Sequence, residues 1–264
     1  MKKHPKLESF YIGLVFLFLF LPIIVLVIYS FNTSRLNIIF EGFTFNWYKE
    51  LFNNRDLLEA FRNTLLVGVI STIVSTIIGT LSAIGLKKYN FFGKNFVNSL
   101  LYIPIVIPEI VLGISLLSIY TLLKLELGTF TLILSHIAFS IPFVLVSVRS
   151  SLENNDPHIE EAASDLGANK LKTLWYITIP SLYQGIKSGA LLAFTLSLDD
   201  VVISYFTAGP GSNTLPLKLY SMIKTGVSPD VNALSSLLLL VITIILTVST
   251  IIQVRNIRKL QVKL

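Results

Sequence analysis

The chain has 264 residues, 53% of them hydrophobic and 14% charged, with a mean hydropathy of +0.74. Water-soluble domains carry about 25% charged residues, so there are too few charges here to cover a water-facing surface. The apolar residues come in long blocks, without the alternation of strands. This composition reads as an all-α polytopic membrane protein. With no cysteine, disulfides, thiolate metal sites and a cysteine nucleophile are excluded. His4, His136 and His158 are scattered and form no cluster with metal-ligand spacing.

A bilayer core about 30 Å thick needs roughly 20 apolar residues per helix. Six segments qualify, in chain order 10–29, 63–86, 97–123, 128–148, 186–208 and 233–253. The first follows Lys2, Lys3 and Lys6 as a signal peptide would. Its apolar run exceeds an h-region, however, and no small-x-small site follows in Ser30-Phe31-Asn32, so it reads as a retained helix. With the N-terminus inside, the cytoplasmic pieces hold Lys2, Lys3, Lys6, Lys87, Lys88, Lys94, Arg149, Lys170, Lys172, Lys187, Arg255, Arg258, Lys259 and Lys263. That majority of the 21 basic residues predicts both termini inside. The net charge of +6 is then an inner-leaflet anchor, and nucleic acid is not needed to explain it. The chain reads as one transmembrane domain over 1–264. The outer connection 30–62 carries Phe43, Phe45, Trp47 and Tyr48, which suggests a short amphipathic interfacial segment.

Charged residues within spans are costly and usually face a cavity or a partner. Glu109 lies in the third span, behind Pro104 and Pro108, which predict a kink. Asp199 and Asp200 lie in the fifth span, about 100° apart on a helix. Each is open to two readings, a place on the transport pathway or a cap or bridge to a neighbouring helix. Three acidic groups would suit a cationic substrate. His136 and Ser140, four apart in the fourth span, read as hydrogen-bonded packing residues.

The cytoplasmic loop 149–185 is the most informative segment. Asp156-Pro157 is a helix start, and Gly167 suits the residue beyond the helix end. Between them Ile159, Ala162, Ala163 and Leu166 form one apolar stripe, with Glu160, Glu161 and Asp165 off it or at its edge. Interfacial helices favour Lys and Arg opposite large apolar groups. Carboxylates opposite two alanines indicate docking to another protein instead. A second helix is expected over 169–177, with Leu171, Leu174 and Trp175 on one face and Pro180 ending it.

Glu161-Ala162-Ala163, three residues, Gly167, nine residues, Ile177, one residue, Ile179 and Pro180 resembles the EAA loop of ABC-importer permeases, E-A-A-x3-G-x9-I-x-L-P. Its one departure is Ile179 for Leu, a volume-conserving change. The resemblance implies a type I ABC importer permease fold. It also implies that Glu161, Ala162, Ala163 and Gly167 belong to a coupling helix seated on an ATPase subunit. No G-x4-G-K-[ST] occurs in the chain, so the chain is no enzyme by itself and holds no cofactor; ATP and Mg would belong to a dimer of separate ATPase subunits.

Further stretches resemble the spermidine/putrescine importers, in the C-type of their two permeases. They are Ser30-Phe31-Asn32-Thr33-Ser34-Arg35, Gly42-Phe43-Thr44 with Trp47-Tyr48, Leu196-Ser197-Leu198-Asp199-Asp200-Val201-Val202, and 215–224 continuing through Gly226-Val227-Ser228-Pro229. This implies a bacterial inner-membrane complex with a second homologous permease and an extracytoplasmic polyamine-binding protein. The outer loop 209–232, with Lys218, Tyr220 and Lys224, would help receive that protein. The alternatives are a permease of the same fold for an anion, iron or thiamine, and an ATP-independent cation transporter.

Overall fold

The structure is a computed structural model that describes residues 5–34, 39–156, 158–225 and 229–261. Lys2, Lys3, His4, Arg35, Pro157, residues 226–228 and Lys263 therefore lie outside the described residues. In chain order the helices are α1 (Pro5–Tyr29), α2 (Asn46–Asn53), α3 (Arg55–Lys88), α4 (Lys94–Val106), α5 (Glu109–Leu122), α6 (Thr129–Glu153), α7 (His158–Asp165) and α8 (Lys170–Thr173). A π-helical turn, Leu174–Thr178, leads to α9 (Ile179–Ser181), α10 (Tyr183–Asp199), α11 (Val202–Thr207), α12 (Leu215–Thr225) and α13 (Pro229–Gln261). Among the described residues the only β pairing is an isolated bridge between Asn32 and Phe43.

Phe10–Tyr29, Arg55–Lys88 and Thr129–Glu153 are each long and apolar enough to cross a bilayer. The expected third span is broken in two: α4 and α5 meet at 117°. The break goes well beyond the expected kink, and proline chemistry accounts for it. Ile107, before Pro108, takes an extended conformation (ψ 136°), as steric conflict with the following ring requires. Pro108 has no N–H to continue α4.

The expected fifth span is broken as well, because α10 stops at Asp199 and Asp200 is extended (ψ 127°). The Asp200 carboxylate accepts from the backbone N–H groups of Ile203 (3.1 Å) and Ser204 (2.8 Å). It thereby caps the next helix instead of continuing the last one.

The chain forms two compact units, Met1–Leu57 with Leu219–Leu264, and Leu58–Lys218. In the first, α1 and α2 both pack on α13. The expected amphipathic outer segment is α2, and it is held by Asn32. The Asn32 side chain donates to the Ile39 carbonyl (2.7 Å) and accepts from Glu41 N–H (2.9 Å), while the Asn32 carbonyl accepts from Trp47 Nε1 (2.7 Å). Phe31 stacks on Phe43 at 4.8 Å and meets Phe45 edge-on.

In the second unit α6 is buried along its length, at Leu132, Ser135, His136, Phe139, Ser140, Val144, Leu145 and Val148. Its main partner is α10, whose buried residues are Gly185, Gly189, Ala193 and Ser197. Small residues at intervals of four let two helix backbones approach closely. A Cβ on Gly189 would lie 3.0 Å from Val144 Cα, and one on Gly79 of α3 only 2.8 Å from Val144 Cβ. Val144 thus sets the spacing of three helices. At the opposite end of α6, Gly209 lies so close to Leu127 that a Cβ would overlap the Leu127 carbonyl.

These contacts predict opposite outcomes for one substitution. Gly189→Ala presses on Val144 and Ser147 and should lower thermal stability in detergent by about 1–3 kcal/mol. Gly85→Ala in α3 meets nothing within 4 Å and should be neutral or stabilising by up to about 1 kcal/mol. Paired melting curves would check both.

Candidate functional site

The loop singled out in the sequence folds as an elbow built from α7, α8 and the π turn. Asp156 starts it, with the Asp156 carboxylate accepting from His158 N–H (3.0 Å). Gly167 ends α7 at φ +84°. Ala168 N–H donates to the Ala163 carbonyl (3.0 Å), and Gly167 N–H to the Ser164 carbonyl (2.9 Å). These two bonds form a Schellman closure, and a left-handed residue makes it, which favours glycine.

Pro180 does not end the second helix as expected. It sits inside α9, directly after the π turn. The wider turn bonds Ile179 N–H to the Leu174 carbonyl, and proline's missing donor is absorbed there without breaking the chain's helical course.

Within α7 the predicted apolar stripe splits. Ala163 is buried, whereas Ile159, Ala162 and Leu166 are exposed, Leu166 at 90%. Glu161 is exposed, with Oε2 3.0 Å from His158 Nδ1. Leu171, Trp175 and Tyr176 are exposed beyond it. The elbow therefore presents exposed apolar side chains beside the Glu161 and Asp165 carboxylates, and contiguous apolar patches mark interaction surfaces.

Glu160, one position earlier, points inward and was missed as a functional residue. Lys88, at the end of α3, donates to Glu160 at 2.7 Å and to the Thr178 hydroxyl at 3.2 Å; the Thr178 hydroxyl donates to Glu160 at 2.7 Å. One carboxylate so joins α3, α7 and the π turn. The only sequence signal was position: adjacent helical residues diverge by about 100°, so Glu160 and Glu161 could not face the same way.

Burial pulls the Glu160 carboxyl up, but the hydrogen bonds from Lys88 and Thr178 and the Lys88 charge outweigh it and hold it below the usual glutamate value. A folded-state value below the unfolded one stabilises fully above the ordinary glutamate range, near 4.3, and the contribution is lost as pH falls through the lowered folded value.

Inside the second unit, a buried polar chain connects α3, α6, α10 and α11. Ser71 Oγ lies 3.2 Å from Ser197 Oγ, and Ser197 Oγ lies 2.6 Å from His136 Nδ1. His136 Nε2 is 3.1 Å from Ser204 Oγ and 3.4 Å from Asp200 Oδ2, to which the Ser204 hydroxyl also donates (2.7 Å). Of the two readings open for the acidic pair, capping and bridging describes Asp200. His136 is a packing residue with three polar neighbours, while the Ser140 hydroxyl has no partner among the described residues.

Asp199, at the end of α10, and Glu109, at the head of α5, are both exposed. Neither makes an ion pair among the described residues. Helix α5 packs on α11, with Gly113 against Phe206. That packing brings Glu109 within electrostatic reach of Asp199 and Asp200. On α12, Lys224 Nζ sits 4.7 Å above the Tyr220 ring, and Lys218 is half-buried on the same helix.

Replacing Glu160 with Gln should cost about 0–1 kcal/mol at neutral pH, as for other partly exposed pairs. Its difference from wild type in melting temperature should shrink as the pH is lowered below about 4.3. Replacing His136 with Leu removes one polar neighbour each from Ser197, Ser204 and Asp200 and should cost about 1–3 kcal/mol. Ser140→Ala, tested in the same melting assay, should cost less.

A family model described as the binding-protein-dependent transport system inner membrane component matches residues 75–262. The chain is 44% identical over 238 residues to the spermidine/putrescine transport system permease protein PotC of Escherichia coli, covering 90% of each chain. It is 39% identical over 231 residues to the putrescine transport system permease protein PotI of Escherichia coli, covering 85% of this chain and 82% of that protein. A solved bacterial ABC transporter involved in the import of the acidic polysaccharide alginate superposes with a TM-score of 0.70 at 17% identity, over 96% of this chain and 98% of that one. At that identity the superposition speaks for the fold alone. Helical architecture, family match and near full-length identity agree: the chain belongs to the binding-protein-dependent inner membrane components, the multi-pass permeases of ABC importers.

Proposed function

We propose that the whole chain, 1–264, is one permease domain that carries polyamines, spermidine or putrescine, across the bacterial inner membrane by alternating access. The observation that carries this reading is the 44% identity over 90% of the chain to a spermidine/putrescine permease. The exposed carboxylates fit that cargo. Glu109 and Asp199 would meet the substrate's ammonium groups directly, with the charge of Asp200 behind them, and charge-assisted hydrogen bonds suit such groups.

The work would come from outside the chain. In this reading Glu161, Ala162, Ala163 and Gly167 form the coupling helix on a dimer of ATPase subunits, which hold ATP and Mg. The exposed apolar residues of the elbow support it, since Leu166, Leu171 and Tyr176 lack a cover. A second homologous permease would complete the pathway. The outer helix carrying Lys218, Tyr220 and Lys224 would help receive an extracytoplasmic polyamine-binding protein.

The test is uptake by the reconstituted complex in liposomes. Radiolabelled spermidine or putrescine should accumulate only with ATP inside. Asp199→Asn should lower uptake at subsaturating substrate by about tenfold, the factor for about 1.4 kcal/mol. Glu161→Arg should abolish ATP-driven uptake. Normal polyamine uptake by the Asp199 variant would remove that residue from the pathway, and normal uptake by the Glu161 variant would end the coupling assignment.

A further inference from the structure

A cavity of about 270 Å³ opens at the cytoplasmic ends of α3, α4 and α6, and neither the coupling elbow nor the acidic pathway uses it. Its rim carries Lys87 from α3, Lys94 from α4 and Arg149 from α6, with the amides of Asn95 and Asn98 between them. Its floor is apolar, formed by Ala83, Leu86 and Leu145. Among the described residues one carboxylate pairs with these three cations: Glu153, which accepts from Arg149 Nε at 3.3 Å. Arg149 also donates weakly to Tyr102 Oη (3.4 Å), and Lys94 to Asn90 Oδ1 (2.9 Å). Lys88, next in sequence, is occupied by Glu160. The cavity thus keeps an excess of positive charge.

Its surroundings continue in one direction. Below Lys94, α4 exposes Phe96, Val97, Leu100 and Ile103, spaced so that they share a face of the helix. In the turn above, Phe91 and Phe92 are exposed, Phe92 entirely. A pocket of cations above an open apolar stripe matches an amphiphile whose anionic head sits in the pocket and whose chains lie on the helix. The volume is slightly below the roughly 300–1,000 Å³ of drug-sized ligand sites, so it holds a head group only.

We infer that this cavity binds the phosphate head group of an anionic phospholipid of the cytoplasmic leaflet, with the acyl chains along α4. Basic pockets between helices on the cytoplasmic side of a membrane protein recognise such head groups. The inference rests on the membrane orientation of the proposed permease. It is independent of cargo, because lipid retention is read without substrate.

The experiment uses the assembled transporter in mild detergent, supplemented with phosphatidylglycerol or phosphatidylcholine and examined by native mass spectrometry. Wild type should retain phosphatidylglycerol in preference to phosphatidylcholine. The paired substitution of exposed Lys87→Gln with half-buried Lys94→Gln should weaken retention about tenfold or more. Asn98→Trp, which narrows the cavity and leaves every charge in place, should weaken it too. Equal retention of phosphatidylglycerol by wild type and both variants would overturn the proposal. So would full displacement by inorganic phosphate, which would make the site one for a free anion. Loss of the ATPase subunits from the lysine variant, with no lipid preference in wild type, would also overturn it and assign the cavity to a protein partner.

Discussion

The close approach of α6 and α10 is the constraint on which the second unit depends. In a membrane, lipid tails are as apolar as leucine, so burying apolar side chains does little to pull helices together. Gly185, Gly189, Ala193 and Ser197 solve this by removing bulk on one face of α10. Backbone can then lie against Val144 and Ser147. The Ser147 hydroxyl donates to the Gly185 carbonyl at 3.0 Å, so the contact is both tight and polar. Dispersion at short range, reinforced by that bond, replaces the hydrophobic drive of a soluble core.

The same stripe ends in chemistry. Ser197, its last member, is the partner of both His136 and Ser71. The packing that brings α10 to α6 therefore also delivers the hydroxyl that completes the buried polar chain. With Asp200 drawn inward by the Ser204 hydroxyl and the N–H groups of Ile203 and Ser204, helix α10 must stop. The stop leaves Asp199 exposed at a helix end. Two neighbouring aspartates thus differ in burial, because the Ile203 and Ser204 donors draw only Asp200 inward.

Local chemistry was legible in the sequence. Asp156 and Gly167 bound α7 as their residue types demand, and the long apolar blocks become helices. Structure decided by distant partners was not. Nothing near Asp200 announces His136, which lies in another helix and adds to the Ile203 and Ser204 donors that Asp200 caps. The capping itself was local, but an aspartate inside an apolar block read as part of a continuous span. Pro108 gave a signal for disruption but not its size; a missing donor and a steric clash permit a mild kink or a 117° bend, and packing chooses. Pro180 shows the opposite error. Its expected stop is absorbed by a π turn, in which Ile179 N–H bonds to the Leu174 carbonyl, and no residue type in 174–178 announces that turn.

Among these broken helices α3 is continuous and contains no proline. Near its outer end Asn63 donates to the carbonyls of Gly211 and Asn213 (3.0 and 3.2 Å). At its inner end Lys88 holds Glu160 of the elbow. Those two anchor points lie about 38 Å apart along the axis at 1.5 Å per residue, longer than the bilayer core of about 30 Å. The helix is thus a strut between the two faces of the membrane. The elbow at α7 and the loop at 211–213 are tied to opposite ends of one unbroken helix, a link that passes through neither the bend at 107–108 nor the one at 200–201.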